Sequence, residues 1–167
     1  MAYRSRVYAC FDGDSDIRYY YLMKAWKQSD YTSFTFSDAH DLNYAFDSSQ
    51  RESILAQLRT RFDSSKTFVI LIGDRTRLLR KFVPWEIDQA ISRKLPIICV
   101  NLSNLREMDS QRCPDKLKVA LAIHIPFGQK ILEYALDNWP ASAESHRKAG
   151  QTGPFHFKPE VYTRLGL

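Results

Sequence analysis

A single glutamate, Glu86, stands between Trp85 and Ile87, a short way past the glycine that closes the apolar run Thr67-Phe68-Val69-Ile70-Leu71-Ile72-Gly73. A run of this kind, rich in β-branched and aromatic residues, is the pattern of a central strand buried on both faces of a parallel sheet. Residues just beyond the carboxyl end of such a strand line the ligand crevice of open α/β folds. A lone carboxylate there can stabilise developing positive charge or attack as a nucleophile, so Glu86 is a site candidate by position as well as by type. Its spacing also fits a plainer role: after Pro84 it would lie in the first turn of a helix, favouring the dipole and capping a backbone N–H.

Two loops are expected to meet at the same crevice. One is Cys10-Phe11-Asp12-Gly13-Asp14-Ser15-Asp16, after the first strand; the other is Gly73-Asp74-Arg75-Thr76. Phe11, Asp12, Asp74, Arg75 and Thr76 are therefore the expected substrate contacts. Asp12, Asp14 and Asp16 also invite a magnesium-binding reading of the receiver type. That reading needs a phosphorylatable aspartate at the end of strand three and a lysine just after strand five, whereas Asp74 follows a glycine outside the strand and Lys130 comes four residues after Pro126. Asp14 or Ser15 serves more simply as the N-cap of the following helix. Arg75, Arg77, Arg80 and Lys81 form the dense basic cluster, suited to a solvated helix start or to an anion such as a pyrophosphate.

Several chemistries are excluded or disfavoured. No Gly-x-Gly-x-x-Gly or Gly-x-x-x-x-Gly-Lys run supports a dinucleotide dehydrogenase or a P-loop nucleotidase, and no Gly-x-Ser-x-Gly elbow supports a serine nucleophile. His40, His124, His146 and His156 stand at unrelated spacings, so no metal is expected, and His124 within a β run reads as a core residue. Cys10, Cys99 and Cys113 read as reduced structural thiols.

The elements that must position these residues follow from periodicity. With 167 residues, 44% hydrophobic and 26% charged, the chain fits one globular domain. The net charge of +5 is spread among acidic residues with no base-reading motif, so nucleic acid is not an expected partner. No apolar stretch approaches the roughly 20 residues that span a membrane, and the N-terminus lacks a signal-peptide core, so a cytoplasmic protein without a membrane partner is expected. Strands are expected at residues 5–11, 31–37, 67–72, 95–102 and 119–126, and helices at 16–28, 50–61, around Glu86 to about 93, and 129–139. Polar loops fill 38–49 and 103–116, the second of them mobile, and residues 140–167 read as an irregular tail behind a domain of 1–139. Alternating strands and helices imply an α/β, flavodoxin-like doubly wound five-stranded parallel sheet of order 2-1-3-4-5, with helices on both faces.

Residues 6–102 resemble the Toll/interleukin-1 receptor (TIR) domains, most closely the bacterial TIR-like proteins of the Thoeris anti-phage system. The carriers are Arg6-Val7-Tyr8-Ala9-Cys10-Phe11, Asp16-Ile17-Arg18 leading to Lys24-Ala25-Trp26, Phe36-Ser37-Asp38, and Val69-Ile70-Leu71-Ile72-Gly73 with Thr76 leading to Arg80-Lys81-Phe82-Val83-Pro84-Trp85-Glu86-Ile87. The resemblance implies that Glu86 is the catalytic acid of an enzyme that cleaves the nicotinamide–ribose bond of NAD. It implies an ADP-ribose-derived, cyclic or conjugated signal for a separate effector, a phage-derived trigger and self-association. On that resemblance NAD is the expected substrate, and no cofactor is expected. Phe82 takes the aromatic position four residues before the acid, where the family usually has tryptophan, while Trp85 sits beside the acid. Phe11 and Trp85 are expected to stack on the nicotinamide or adenine ring, and Arg75 or Arg77 to meet the pyrophosphate. The nicotinamide ring is already cationic in the ground state, so no general acid is needed to release it and one carboxylate suffices. Two other readings differ in class: a non-catalytic interaction module using 38–49 and the Glu86 helix as contact surfaces, and a nucleoside deoxyribosyltransferase-like enzyme with a covalent glutamate.

Overall fold

Strand and helix alternate along the chain as the periodicity requires, and the computed structural model describes residues 6–28, 35–37 and 51–167. The elements are β1 (Arg6–Cys10), α1 (Ile17–Gln28), β2 (Thr35–Ser37), α2 (Arg51–Ser64), β3 (Thr67–Ile72), α3 (Phe82–Ser92), β4 (Ile97–Asn101), α4 (Asp115–Val119), β5 (Ala122–Pro126), α5 (Gln129–Lys148), β6 (Pro154–His156) and α6 (Pro159–Leu165). A 3₁₀ turn, Thr76–Leu78, links β3 to α3. Residues 31–34 of the expected second strand and the expected 38–49 loop lie outside the described residues.

The strands form a parallel sheet of order β2-β1-β3-β4-β5-β6, so the 2-1-3-4-5 arrangement holds and a sixth strand extends it. β1, β3, β4 and β5 feed one face and then the other with alternate residues, as a pleat demands. Val7, Ala9, Val69, Leu71, Val100 and Ile125 pack on one side with Tyr20 and Met23 of α1 and Leu132, Leu136 and Trp139 of α5. Tyr8, Cys10, Phe68, Ile70, Ile72 and Cys99 pack on the other with Leu58 and Phe62 of α2 and Val83 and Ile87 of α3. β3 is buried at every position, the condition for a strand covered on both faces.

The C-terminal part corrects the expectation of an irregular tail. α5 runs through Pro140 to Lys148. A proline in a helix interior removes a hydrogen bond and costs about 3 kcal/mol, but burial of Trp139 and Ala143 on either side holds this helix to the sheet. The residues that suggested disorder are punctuation: Gly150 adopts φ +70 and ends α5, its N–H reaching the Arg147 carbonyl at 3.0 Å and that of Gln151 reaching His146 at 2.9 Å. Pro159 opens α6. The expected 119–126 strand is shorter, because residues 115–119 form α4 and leave Val119 two-thirds exposed.

The expected mobile 103–116 loop is pinned instead. Asn101 Nδ2 donates to the Leu105 and Glu107 carbonyls at 2.9 and 2.7 Å, and buried Asp109 accepts from Ser103 Oγ and from the N–H groups of Gln111 and Arg112. Burial alone would push the Asp109 carboxyl up, yet these donors hold it below the usual carboxylate range.

Candidate active site

Glu86 is the fifth residue of α3, which starts at Phe82, so Pro84 lies in the first turn, where its missing N–H has no intrahelical partner to lose. The first turn carries no acidic residue. Glu86 is therefore not a helix cap. Its side chain turns into the sheet, where Tyr8 Oη donates to Oε1 at 2.6 Å and Cys10 Sγ donates to Oε2 at 3.3 Å. Glu86 as a whole is 2% exposed. Burial raises its proton affinity and the hydrogen bonds from Tyr8 and Cys10 lower it; burial prevails, so the carboxyl lies above its ordinary 4.5. Burial and the neighbouring carboxylate push the Tyr8 phenol and the Cys10 thiol upward, so both remain protonated donors.

Neither Tyr8 nor Cys10 was legible as a site residue by type, yet strand alternation was an available signal. Residues 8 and 10 of β1 must point to the same face, and residues 7, 9 and 11 to the other. The same alternation corrects Phe11. It stacks on Tyr20 at 4.6 Å within the α1/α5 core, across the sheet from Glu86, and does not line the acid's surroundings.

Phe82 and Trp85 do share Glu86's face. Both are partly buried against the cluster that holds Tyr8 and Cys10. Trp85 meets Phe62 edge-on at 6.0 Å, with the Arg59 guanidinium 5.8 Å from its ring. Thr76 is turned inward and is structural: its Oγ1 accepts the Gly73 N–H at 2.8 Å and donates to the Leu71 carbonyl at 3.3 Å, which closes the turn after β3.

Asp12, Asp74 and Arg75 gather elsewhere, at the carboxyl rim on the α1 side. Buried Asp12 accepts the Asp14 N–H at 3.1 Å, and its other oxygen lies 4.0 Å from Arg75 Nε. Arg75 reaches Ser15 Oγ at 3.3 Å, and exposed Asp74 pairs with Arg112 at 2.6 Å. Asp74, Arg75 and Arg112 border a cleft of about 240 Å³ together with Asp16, Arg18 and Tyr19. Burial, then Asp12 and Asp74, push the Asp16 carboxyl up to about 6. Its oxygens press on Gly73 where any larger residue would place a Cβ. The residues expected to converge on one substrate thus form two groups, and Glu86 is not among those that border this cleft.

Among the described residues, no group of three or more His, Cys, Asp or Glu side chains could hold a metal ion. No described helix is long and apolar enough to cross a membrane. Cys10, Cys99 and Cys113 are free and buried.

A parallel doubly wound sheet carrying a buried glutamate on the helix after its central strand is the arrangement of a TIR-like α/β domain. The sequence model described as "Thoeris protein ThsB, TIR-like domain" matches residues 8–107, and the chain belongs to that family of anti-phage TIR-like proteins. A type 3 secretion system ATPase of Pseudomonas syringae pv. syringae is 28% identical to this chain over 120 residues, 69% of this chain and 26% of that protein. The chain thus spans about a quarter of the length of that relative.

Proposed function

We propose that this protein cleaves the bond between nicotinamide and ribose in NAD and converts the remainder to an ADP-ribose-derived, cyclic second messenger for a separate effector. The observation that carries the reading is the Glu86 carboxylate, buried and hydrogen-bonded at both oxygens by Tyr8 and Cys10. Burying a carboxylate costs several kcal/mol unless it is fully compensated, and an acid perturbed by burial beside specific partners is a functional-site candidate. Family membership supplies the reaction class. The similarity to a secretion ATPase adds no argument for ATP hydrolysis, because the chain has no Gly-x-x-x-x-Gly-Lys run.

In the reaction the C1′–N bond breaks and its electron pair leaves with nicotinamide, which departs neutral. The ribose carbon becomes oxocarbenium-like, and Glu86 stabilises that charge and orders the ribose hydroxyls. A nucleophile then forms the new bond to C1′ and loses its proton: water for linear ADP-ribose, or an atom of the same molecule for a cyclic product. Trp85 and Phe82 supply apolar wall on the Glu86 face. Arg75 and Arg77 remain candidates for the pyrophosphate, and a phage-derived trigger and self-association belong to the same reading.

The test is incubation of wild-type protein and Glu86→Gln with NAD, with and without lysate of phage-infected cells, reading nicotinamide and ADP-ribose products by chromatography and mass. Release that disappears in the variant is expected. NAD left intact in every condition moves the protein to the interaction-module class, and a glycosyl-enzyme adduct on Glu86 moves it to the deoxyribosyltransferase-like class.

A further inference from the structure

The two oxygens of Glu86 are held unequally. Oε1 accepts from a phenol at 2.6 Å, a short charge-assisted bond, whereas Oε2 accepts from a thiol at 3.3 Å, and thiols are weak donors. Tyr8 is locked in place. It is buried, its ring stacks on Phe62 at 3.9 Å and lies 5.7 Å from Phe68. Cys10 is the last residue of β1, two residues nearer the carboxyl rim of the sheet than Tyr8, roughly 6.6 Å along a strand. A ligand entering from that rim therefore meets Oε2 first.

We infer that Tyr8 is a positioning residue that anchors Glu86 through Oε1, and that Oε2 is the oxygen handed to the ribose, whose hydroxyl replaces the weak Cys10 donor. This deepens the NAD-cleaving reading and rests on it. The division follows from the strengths of the two bonds. A hydroxyl-to-carboxylate bond at 2.6 Å is not exchanged for another hydroxyl at any gain, whereas a thiol bond at 3.3 Å is. Tyr8 also lowers the proton affinity of the acid. Without its phenol the buried carboxylate loses its stronger donor, and burial then pushes its proton affinity further up.

The test compares Tyr8→Phe and Cys10→Ala in the full chain. Tyr8→Phe keeps the ring and its stack on Phe62. A hydrogen bond to a charged group corresponds to a change in acid strength of roughly 10- to 100-fold, so the acid limb of the kcat profile is expected to move up by about one to two pH units. The neutral-pH loss should recover at higher pH, with KM little changed. Cys10→Ala is expected to lower kcat less than Tyr8→Phe does and to leave KM equal or lower, since it removes the weaker of the two donors and the one that competes at Oε2. A second readout does not depend on turnover: the carboxyl carbon of Glu86, followed by NMR in ¹³C-glutamate-labelled protein and assigned by its loss in Glu86→Gln, should titrate at higher pH in Tyr8→Phe. An unchanged titration there overturns the anchoring role, whatever the turnover. A larger kcat loss in Cys10→Ala than in Tyr8→Phe overturns the choice of Oε2. A displaced titration with NAD untouched by wild type refutes the enzyme reading, and with it the catalytic use of Oε2, while upholding Tyr8 as the group that controls the acid.

Discussion

Glu86→Gln should abolish nicotinamide release and at the same time leave the protein as stable as wild type, or more so, above neutral pH. The carboxyl binds its proton more tightly in the folded chain than at its ordinary value of 4.5, because burial outweighs the Tyr8 and Cys10 bonds. Between 4.5 and the folded value the native state therefore holds more proton than the unfolded state. The stability this contributes is full below 4.5 and is lost as pH rises through the folded value. Each unit of separation corresponds to about 1.4 kcal/mol. Glutamine keeps a carbonyl oxygen for Tyr8 but presents an amide to Cys10, a poor acceptor, at a cost of roughly 1–3 kcal/mol. Relief of a buried charge is worth several kcal/mol, so the balance at pH 8 is a gain of about 1–2 kcal/mol. For a chain of this size that raises Tm by roughly 2–8 °C. Scanning calorimetry of both proteins at pH 4, 6 and 8 measures it: the gap should be largest at pH 8 and vanish or reverse at pH 4. A glutamine variant less stable by the same amount at every pH would refute the reasoning, since it would make Glu86 a structural group whose ionisation does not matter.

Other perturbations follow from the same structure. Burial, then His156, lowers the His124 imidazole to about 4 from 6.5, so its stabilisation is present above pH 6.5 and lost as pH falls through about 4. That separation is worth roughly 3 kcal/mol, and acid unfolding curves of His124→Gln should be correspondingly flatter over this window. Gly73→Ala drives a Cβ into the Asp16 carboxylate and should destabilise by about 1–3 kcal/mol; denaturant titration of the Gly73→Ala, Asp16→Ala double variant should recover part of that loss, and strict additivity would contradict the clash. Thr76→Val leaves the buried Gly73 N–H without its acceptor and should cost about 1–3 kcal/mol in the same titration, with no effect on KM for NAD.

Much of the architecture was written in local pattern. The six-residue run of β3 reads as a strand covered on both faces, and its alternation with helical segments implies a parallel doubly wound sheet whose default order, 2-1-3-4-5, the structure shows. The motif around Glu86 also singled out the acid itself. Where the sequence misled, the competing force was tertiary. Pro140 reads as a helix break until the burial of Trp139 and Ala143 is known, and a three-residue strand such as β6 has too few residues to show a period before β5 gives it a partner.

The site divides along the same line. Residue type and position after the central strand made Glu86 a candidate, and the resemblance of the motif around it singled it out. Only the fold decided its surroundings, because hydrogen-bond partners 78 and 76 residues away in sequence leave no local trace. It set Tyr8 and Cys10 on the acid and sent Phe11 to the opposite face, since adjacent positions past a strand point in opposite directions. It also turned Thr76 inward and gathered Asp74 and Arg75 into a separate cleft. Composition and spacing specify which side chains can do chemistry; burial and the pleat of the sheet specify which of them meet.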